Sequence, residues 1–252
     1  MIDIIGNIKL NKENRIRYFF YSLKSLSFIE NSKFYINIDN KLDESEKGII
    51  LNVIEKCNID IDLSFNENTD KVYSTNYLSL LNKSNNEYIF HFEEDHFCVL
   101  NDQIKFNDLI NDCKINNVDV LRLTYFNITR ILNENINFEK ETDNMKITPY
   151  NFETYSKACQ SELGHTYYLG TNNIFKREFA YKFWNRNIHS SSPHSYELSQ
   201  YNNDFLHLLG IPKFEILRAI DSDHGLSNTC IINGNNNNKF DFIKKTIDEW
   251  FI

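Results

Sequence analysis

Glu93, Glu94, Asp95 and His96 stand in a row between two apolar runs, Tyr88–Phe92 and Phe97–Leu100. Three adjacent carboxylates at the end of a core strand repel one another and lose solvation. A cation offsets that cost, and oxygen ligands of this kind suit Mg2+ or Mn2+. The competing reading is a strand that ends at the surface with its acids in water. Within the cluster, Asp95 is the first candidate ligand and Glu93 the second, while Glu94 and His96 support them.

Other residues could add chemistry to this cluster. Asp39 closes a short apolar run, Phe34–Ile38, and either contacts a ligand or starts a turn with Asn40. His224 follows Asp223 and precedes Gly225, so it is either a metal ligand or a turn residue. Glu197 lies at the start of a predicted helix, where a carboxylate serves as a general base or favours the helix dipole. Arg15 and Arg17 are surface residues unless one reaches a phosphate. Lys176 and Arg177 sit at another predicted helix start, an unfavourable end for cations, which points to an anion nearby.

The elements that must position these groups follow from hydrophobic spacing. Ile2–Ile8, Phe34–Ile38, Ile59–Phe65, Tyr88–Phe92 and Val118–Phe126 read as strands. Helices are predicted around Ile16–Leu26, Ile49–Cys57, Val72–Leu81 and Ile104–Cys113, with Asp43, Glu44 and Glu46 at the start of the second. This alternation specifies an α/β fold with a mainly parallel sheet covered on both faces. Ligands bind such sheets beyond the carboxyl ends of the strands, where Asp39 and the 93–96 cluster both fall. Asn127–Gln160 reads as a long polar excursion or lid. Further along come a helix near Lys176–Asn187, a helix over Tyr196–Leu209 that stops at Gly210, and a late strand, Phe214–Ile220. Residues 1–232 are expected to form the main domain. An Asn-rich linker and an amphipathic helix occupy 233–252.

Composition excludes some classes. The chain of 252 residues carries 27 basic and 35 acidic side chains, a net charge of -8, and no basic stripe, so no nucleic-acid partner is expected. The five cysteines form no CxxC pair and read as buried hydrophobes in a reducing cytoplasm. No apolar run is long enough to span a membrane. Trp250 and Phe251 suit packing on the domain, with peripheral contact at the inner face of a membrane as the minority view.

Together these pieces resemble glycosyltransferases of the GT-A fold, close to the family-2-type group, over roughly residues 1–225. The resemblance rests on the Arg-bearing helix at Asn14–Leu26, on Phe34–Asp39, and on Phe90-His91-Phe92-Glu93-Glu94-Asp95. That last segment is similar to the family's strand and Asp-x-Asp motif, here in a Glu-x-Asp form. Gly170-Thr171-Asn172-Asn173-Ile174-Phe175-Lys176-Arg177 resembles the family's glycine-led strand-to-helix segment.

The resemblance implies a Rossmann-like, mostly parallel sheet and transfer of a sugar from a UDP- or GDP-type nucleotide sugar to a carbohydrate or glycolipid acceptor. It implies Mn2+ or Mg2+ at Glu93, Asp95 and His224. It places Asp39, Arg15, Glu94, Gly170 and Arg177 around the donor. Glu197 is the implied base; because the family's second acid is missing beside it, Asp204 is the alternative. Three rivals stand. A sugar nucleotidyltransferase calls for a Gly-rich opening loop, and only Gly6 is present. A metallophosphoesterase needs further His motifs. A non-catalytic carbohydrate- or nucleotide-binding domain fits the variant motif.

Overall fold

The computed structural model describes residues 1–10, 13–66, 73–123, 138–150, 172–186, 207–221, 230–234 and 237–251. The first half alternates strand and helix: β1 Asp3–Ile8, α1 Glu13–Ser25, β2 Phe34–Ile38, α2 Glu44–Cys57, β3 Ile61–Phe65, α3 Tyr73–Leu81 and β4 Tyr88–His91. A short β5, His96–Cys98, leads to α4 Gln103–Ile115 and β6 Val120–Arg122. Then come β7 Lys140–Glu141, β8 Met145–Pro149, β9 Asn173–Lys176, α5 Arg177–Arg186, β10 Leu208–Pro212 and β11 Leu217–Ala219. Two helices close the chain, α6 Ile231–Gly234 and α7 Asn238–Trp250.

Local chemistry sets several boundaries. Asp43 caps α2 by accepting from the Glu46 amide, and the Glu46 carboxylate accepts from the Asp43 amide in return. Asn58 ends the same helix at φ 51°, the left-handed region that asparagine tolerates. On α7, Asn237 caps the start, and Phe240, Ile243 and Ile247 form the buried face.

Among the described residues, the strands form a nine-stranded sheet in the order β3-β2-β1-β4-β9-β6-β10-β8-β7. Only β9 and β8 run against the common direction, so the sheet is mostly parallel. A separate two-stranded ribbon pairs β5 with β11. Alternate residues of each strand feed opposite layers. Ile4, Ile36 and Phe90 join the core beneath α1, α2, α4 and α7. Ile5, Ile89 and Phe175 join the core beneath α3 and α5. Both faces are thus covered, as the alternation predicted.

Two expectations change. The helix predicted to run to Leu209 and stop at Gly210 is replaced at its end by β10, and residues 196–206 lie outside the described residues. Gly210 is a strand residue paired with Leu121 on β6 and Ile147 on β8, where little room is left for a side chain. A Cβ there would meet Met145 Sδ at 3.0 Å, Leu121 Cδ1 at 3.1 Å and Val118 Cγ1 at 3.2 Å. Part of the expected excursion is also sheet, since β7 and β8 form an antiparallel extension on β10. Met145 and Ile147 supply its buried side. The helix α7 lies against α1, with the Phe240 ring 5.7 Å from Tyr21 and 5.2 Å from Phe97. No helix among the described residues is long and apolar enough to cross a membrane.

Gly6, in the middle of β1, is as tightly enclosed as Gly210. A Cβ would lie 2.9 Å from Phe92 Cδ1 and 3.1 Å from the Phe92 carbonyl oxygen. That oxygen belongs to the backbone just before the acidic cluster and cannot move freely. Gly6→Ala is expected to cost about 2 kcal/mol of stability through overpacking, read as a lower urea midpoint. An unshifted midpoint would show that the end of β4 yields easily.

Candidate active site

The acidic cluster occupies the turn between β4 and β5, at the carboxyl end of β4. Phe92 continues the ladder by donating its amide to Ile5 O at 2.8 Å. The chain then reverses, and a different element fastens each of the next three residues. The Glu93 amide donates to Asn172 Oδ1 at 2.9 Å. Glu94 O accepts from Ser22 Oγ on α1 at 2.7 Å. Asp95 O accepts from the Ile220 amide, just past β11, at 2.9 Å. Backbone held this way fixes where the carboxylates point.

Ligand atoms of Glu93, Asp95 and His96 lie within 4.8 Å of one another. Asp95 and His96 are only 7% and 8% exposed, so neither is a solvated strand end. One Asp95 oxygen meets His96 Nδ1 and the other meets Arg15 Nη1 at 3.1 Å. Arg15 also reaches Glu94 Oε1 at 3.2 Å. The resemblance places Arg15 at the donor; in the structure it pairs with two of the acids. Burial works against its charge, yet Glu94 and Asp95 outweigh that and hold its pKa above the ordinary value, with Asp221 adding to them. The Glu94 carboxyl is pushed up to about 7, first by burial and then by the Asp95 charge, with Arg15 acting in the opposite direction.

The cluster fits a divalent cation. Two carboxylates supply hard oxygen donors of the kind such ions take. An imidazole nitrogen in the set shifts the preference from Mg2+ toward Mn2+. His96, read from sequence as a supporting residue, is thus one of the three converging groups.

Across β1 lies a second buried carboxylate. Asp39, 8% exposed, accepts from the side-chain amides of Asn66 and Asn76 at 3.0 Å each and of Asn7 at 3.4 Å. Asn7 Oδ1 accepts from Asn37 at 2.7 Å, and Asn37 Oδ1 accepts from Ser64 Oγ at 2.9 Å. Asn7, Asn37 and Ser64 are register partners on β1, β2 and β3, so their side chains form a polar ladder across the carboxyl ends. Asn40 does not share Asp39 but accepts the Leu10 amide. The sequence reading missed this ladder. Its signal was a polar residue at the same height on three neighbouring strands. Asp39 and the acidic turn follow β2 and β4, which flank β1, so they stand roughly 10 Å apart in strand spacing.

Arg177 does not join this group. Because β9 runs antiparallel to β4, Asn173 pairs with His91 near the acidic turn while Lys176 pairs with Tyr88 at the far end. Arg177 donates to Ser84 O at 2.9 Å there and lines a cavity of about 630 Å3 with Asn82, Asn86 and Tyr181. The same segment reaches the site through Asn172 instead. Gly170, Glu197, Asp204 and His224 lie outside the described residues. Ile220 and Asp221, the last described residues before His224, lie beside the cluster.

No family model and no curated protein sequence matches the chain. Solved structures do match in shape. S. aureus TarS 1-349 superposes with a TM-score of 0.53 at 13% identity, covering 87% of this chain and 60% of that one. The likeness is one of fold, a mixed α/β architecture with a mostly parallel central sheet flanked by helices. TarS in complex with UDP matches at TM-score 0.52 and 10% identity, over 99% of this chain and 64% of that one. The UDP-GlcNAc complex matches at 0.53 and 12%, over 86% and 58%. This chain therefore spans about 60% of the length of its TarS neighbour.

Two outcomes follow from the charge balance. Arg15→Met leaves two buried carboxylates without their guanidinium and should cost about 3 kcal/mol, read by chemical denaturation; an unchanged stability would assign the compensating charge elsewhere. Glu94 holds a proton in the folded chain that the unfolded chain releases above its ordinary value of 4.5. Stability therefore falls as pH rises from 4.5 toward about 7. In Glu94→Gln that decline should flatten, and a slope identical to wild type would exclude Glu94 as its source.

Proposed function

We propose that the protein is a metal-dependent glycosyltransferase. It moves a sugar from a nucleotide-sugar donor to a hydroxyl of a carbohydrate or glycolipid, in the synthesis of a surface polysaccharide or glycoconjugate. The observation that carries this reading is the convergence of Glu93, Asp95 and His96 at the end of β4, across β1 from the caged Asp39. The TarS structures that share this fold hold UDP and UDP-GlcNAc.

Asp39 is suited to a nucleoside base. Both amides at 3.0 Å fall on Oδ1, whereas Oδ2 has only the longer contact from Asn7. That makes Oδ2 the oxygen better placed to accept an imino N–H, while the Asn7 amide beside it is shared between Oδ2 at 3.4 Å and Tyr73 O at 3.5 Å. Uracil and guanine both present such an N–H. Asn66 and Asn76 keep the carboxylate aimed.

Glu93, Asp95 and His96, with His224, would hold the divalent ion, which when bound supplies positive charge against the departing diphosphate. Arg15 adds a fixed positive charge at the same carboxylates. Asn172 fixes the Glu93 backbone so that its carboxylate meets the others. Glu197 takes the proton of the acceptor hydroxyl, with Asp204 as the alternative base. A second reading, a binding protein without transfer activity, is favoured by Arg15 already serving as the cation for Glu94 and Asp95.

Titration with UDP and GDP, with and without Mn2+, tests the reading, followed by turnover with a panel of nucleotide sugars. Mn2+-dependent binding is expected and should be lost in Asp95→Ala. Asp39→Ala should weaken nucleotide binding about tenfold, the cost of one lost charged hydrogen bond. Glu197→Gln should bind normally but not transfer. Binding without hydrolysis or transfer would establish the second reading, and no metal-dependent binding of any nucleoside diphosphate would sink the first.

A further inference from the structure

Lys239, at the start of α7, is far from the acidic cluster in sequence but is joined to it by an unbroken run of hydrogen bonds. Its ammonium donates to Ser25 O at 2.9 Å, Cys98 O at 2.9 Å and Leu100 O at 2.8 Å. An ammonium has three N–H groups, and all three are used. The nitrogen lies 4.9 Å from the Phe28 ring centre and 5.6 Å from that of Phe97. Burial lowers its pKa, so a charge is retained here against a desolvation cost. A lysine that only covered surface would keep its ammonium in water.

The three carbonyls belong to the end of α1 and to the chain leaving the cluster through β5. Ser25 ties those two segments again, since its Oγ accepts the Cys98 amide at 2.9 Å. The same hydroxyl donates to Ser22 O at 2.7 Å, and Ser22 Oγ donates to Glu94 O at 2.7 Å. Farther along α7, Asp248 accepts from Arg17 at 2.9 Å and from Tyr21, both on α1. So α7 grips α1 at both ends, and α1 carries Arg15, which pairs with Glu94 and Asp95.

We propose that Lys239 is a positioning residue for the Glu93–His96 cluster. It pins the end of α1 to the strand that leaves the turn, so that the Ser22 and Arg15 contacts meet the acids at one fixed height. The part of this inference that concerns metal rests on the transferase reading above. The part that concerns the geometry of the turn does not.

The full chain with Lys239→Met tests it, because methionine keeps the stem and loses the three bonds. Ile211→Ala is the control; it destabilises the core on the other face of the sheet without touching α1, α7 or β5. Hydrogen exchange of amides 93–98 should speed up about tenfold in Lys239→Met and not in the control, measured well below both melting points. Mn2+ affinity, read by electron paramagnetic resonance, should fall about tenfold in the same variant alone, as for other groups that orient metal ligands. If Lys239→Met fails to fold, Lys239→Gln, which keeps two donors, should give smaller changes in the same direction. Exchange at 93–98 that matches wild type, or that rises equally in the control, overturns the proposal. If wild type takes up no Mn2+, the transferase reading falls, and the exchange measurement still decides whether Lys239 holds the turn.

Discussion

The upper end of this molecule is organised around the cost of placing Glu94 and Asp95 side by side out of water. Neither carboxylate is tolerated there without a cation. Arg15 supplies one from α1, and His96 closes on the other oxygen of Asp95. That arrangement forces α1 to lie over the turn between β4 and β5. Once α1 is there, Ser22 and Ser25 can fasten the turn's backbone, and α7 can pack on the outer side of α1. A charge requirement at four residues thus reaches into the placement of two helices.

The sheet meets the same turn from the other side. Between β4 and β6 it accepts β9 in the opposite direction, so the start of β9 lies at the carboxyl ends. Asn172 comes with it and takes the Glu93 amide. A parallel strand in that place would have delivered the Lys176–Arg177 end to the site and left Asn172 behind. The antiparallel insertion therefore selects which half of one short segment does chemistry.

The two acidic centres differ in how their charge is balanced. The cluster after β4 is balanced by cations, Arg15 now and a divalent ion in the proposed reaction. Asp39 is balanced by the neutral amides of Asn7, Asn66 and Asn76, with the polar ladder of Asn7, Asn37 and Ser64 beneath it. An amide cage leaves a carboxylate able to accept from a neutral ligand, whereas a cation-paired one is suited to a metal. A base and a diphosphate, about the length of the strand spacing between the centres, ask for those two environments.

Much of the architecture was legible in the chain itself. Phe34–Ile38 is the same strand in both readings, and the acidic start of α2 became a capping box at Asp43 and Glu46. Periodicity sufficed there because one face is buried and the ends carry their own caps. It failed at Gly210, where a glycine after apolar residues imitates a helix stop and only the packing of Met145, Leu121 and Val118 reveals a strand. In the site, the residue types at 93–96 raised the cost of buried charge before any coordinate, whereas Asp39 was open between a ligand contact and a turn. What local sequence could not express was partnership. Arg15 meets Asp95 across 80 residues and Asn172 meets Glu93 across 79, and the direction of β9 moved Arg177 to the far end. By itself the sequence determined which groups would be costly to bury and which elements would carry them, because charge and periodicity are local properties. Only the tertiary structure decided which groups compensate one another, because strand order and direction set the distances between residues far apart in the chain.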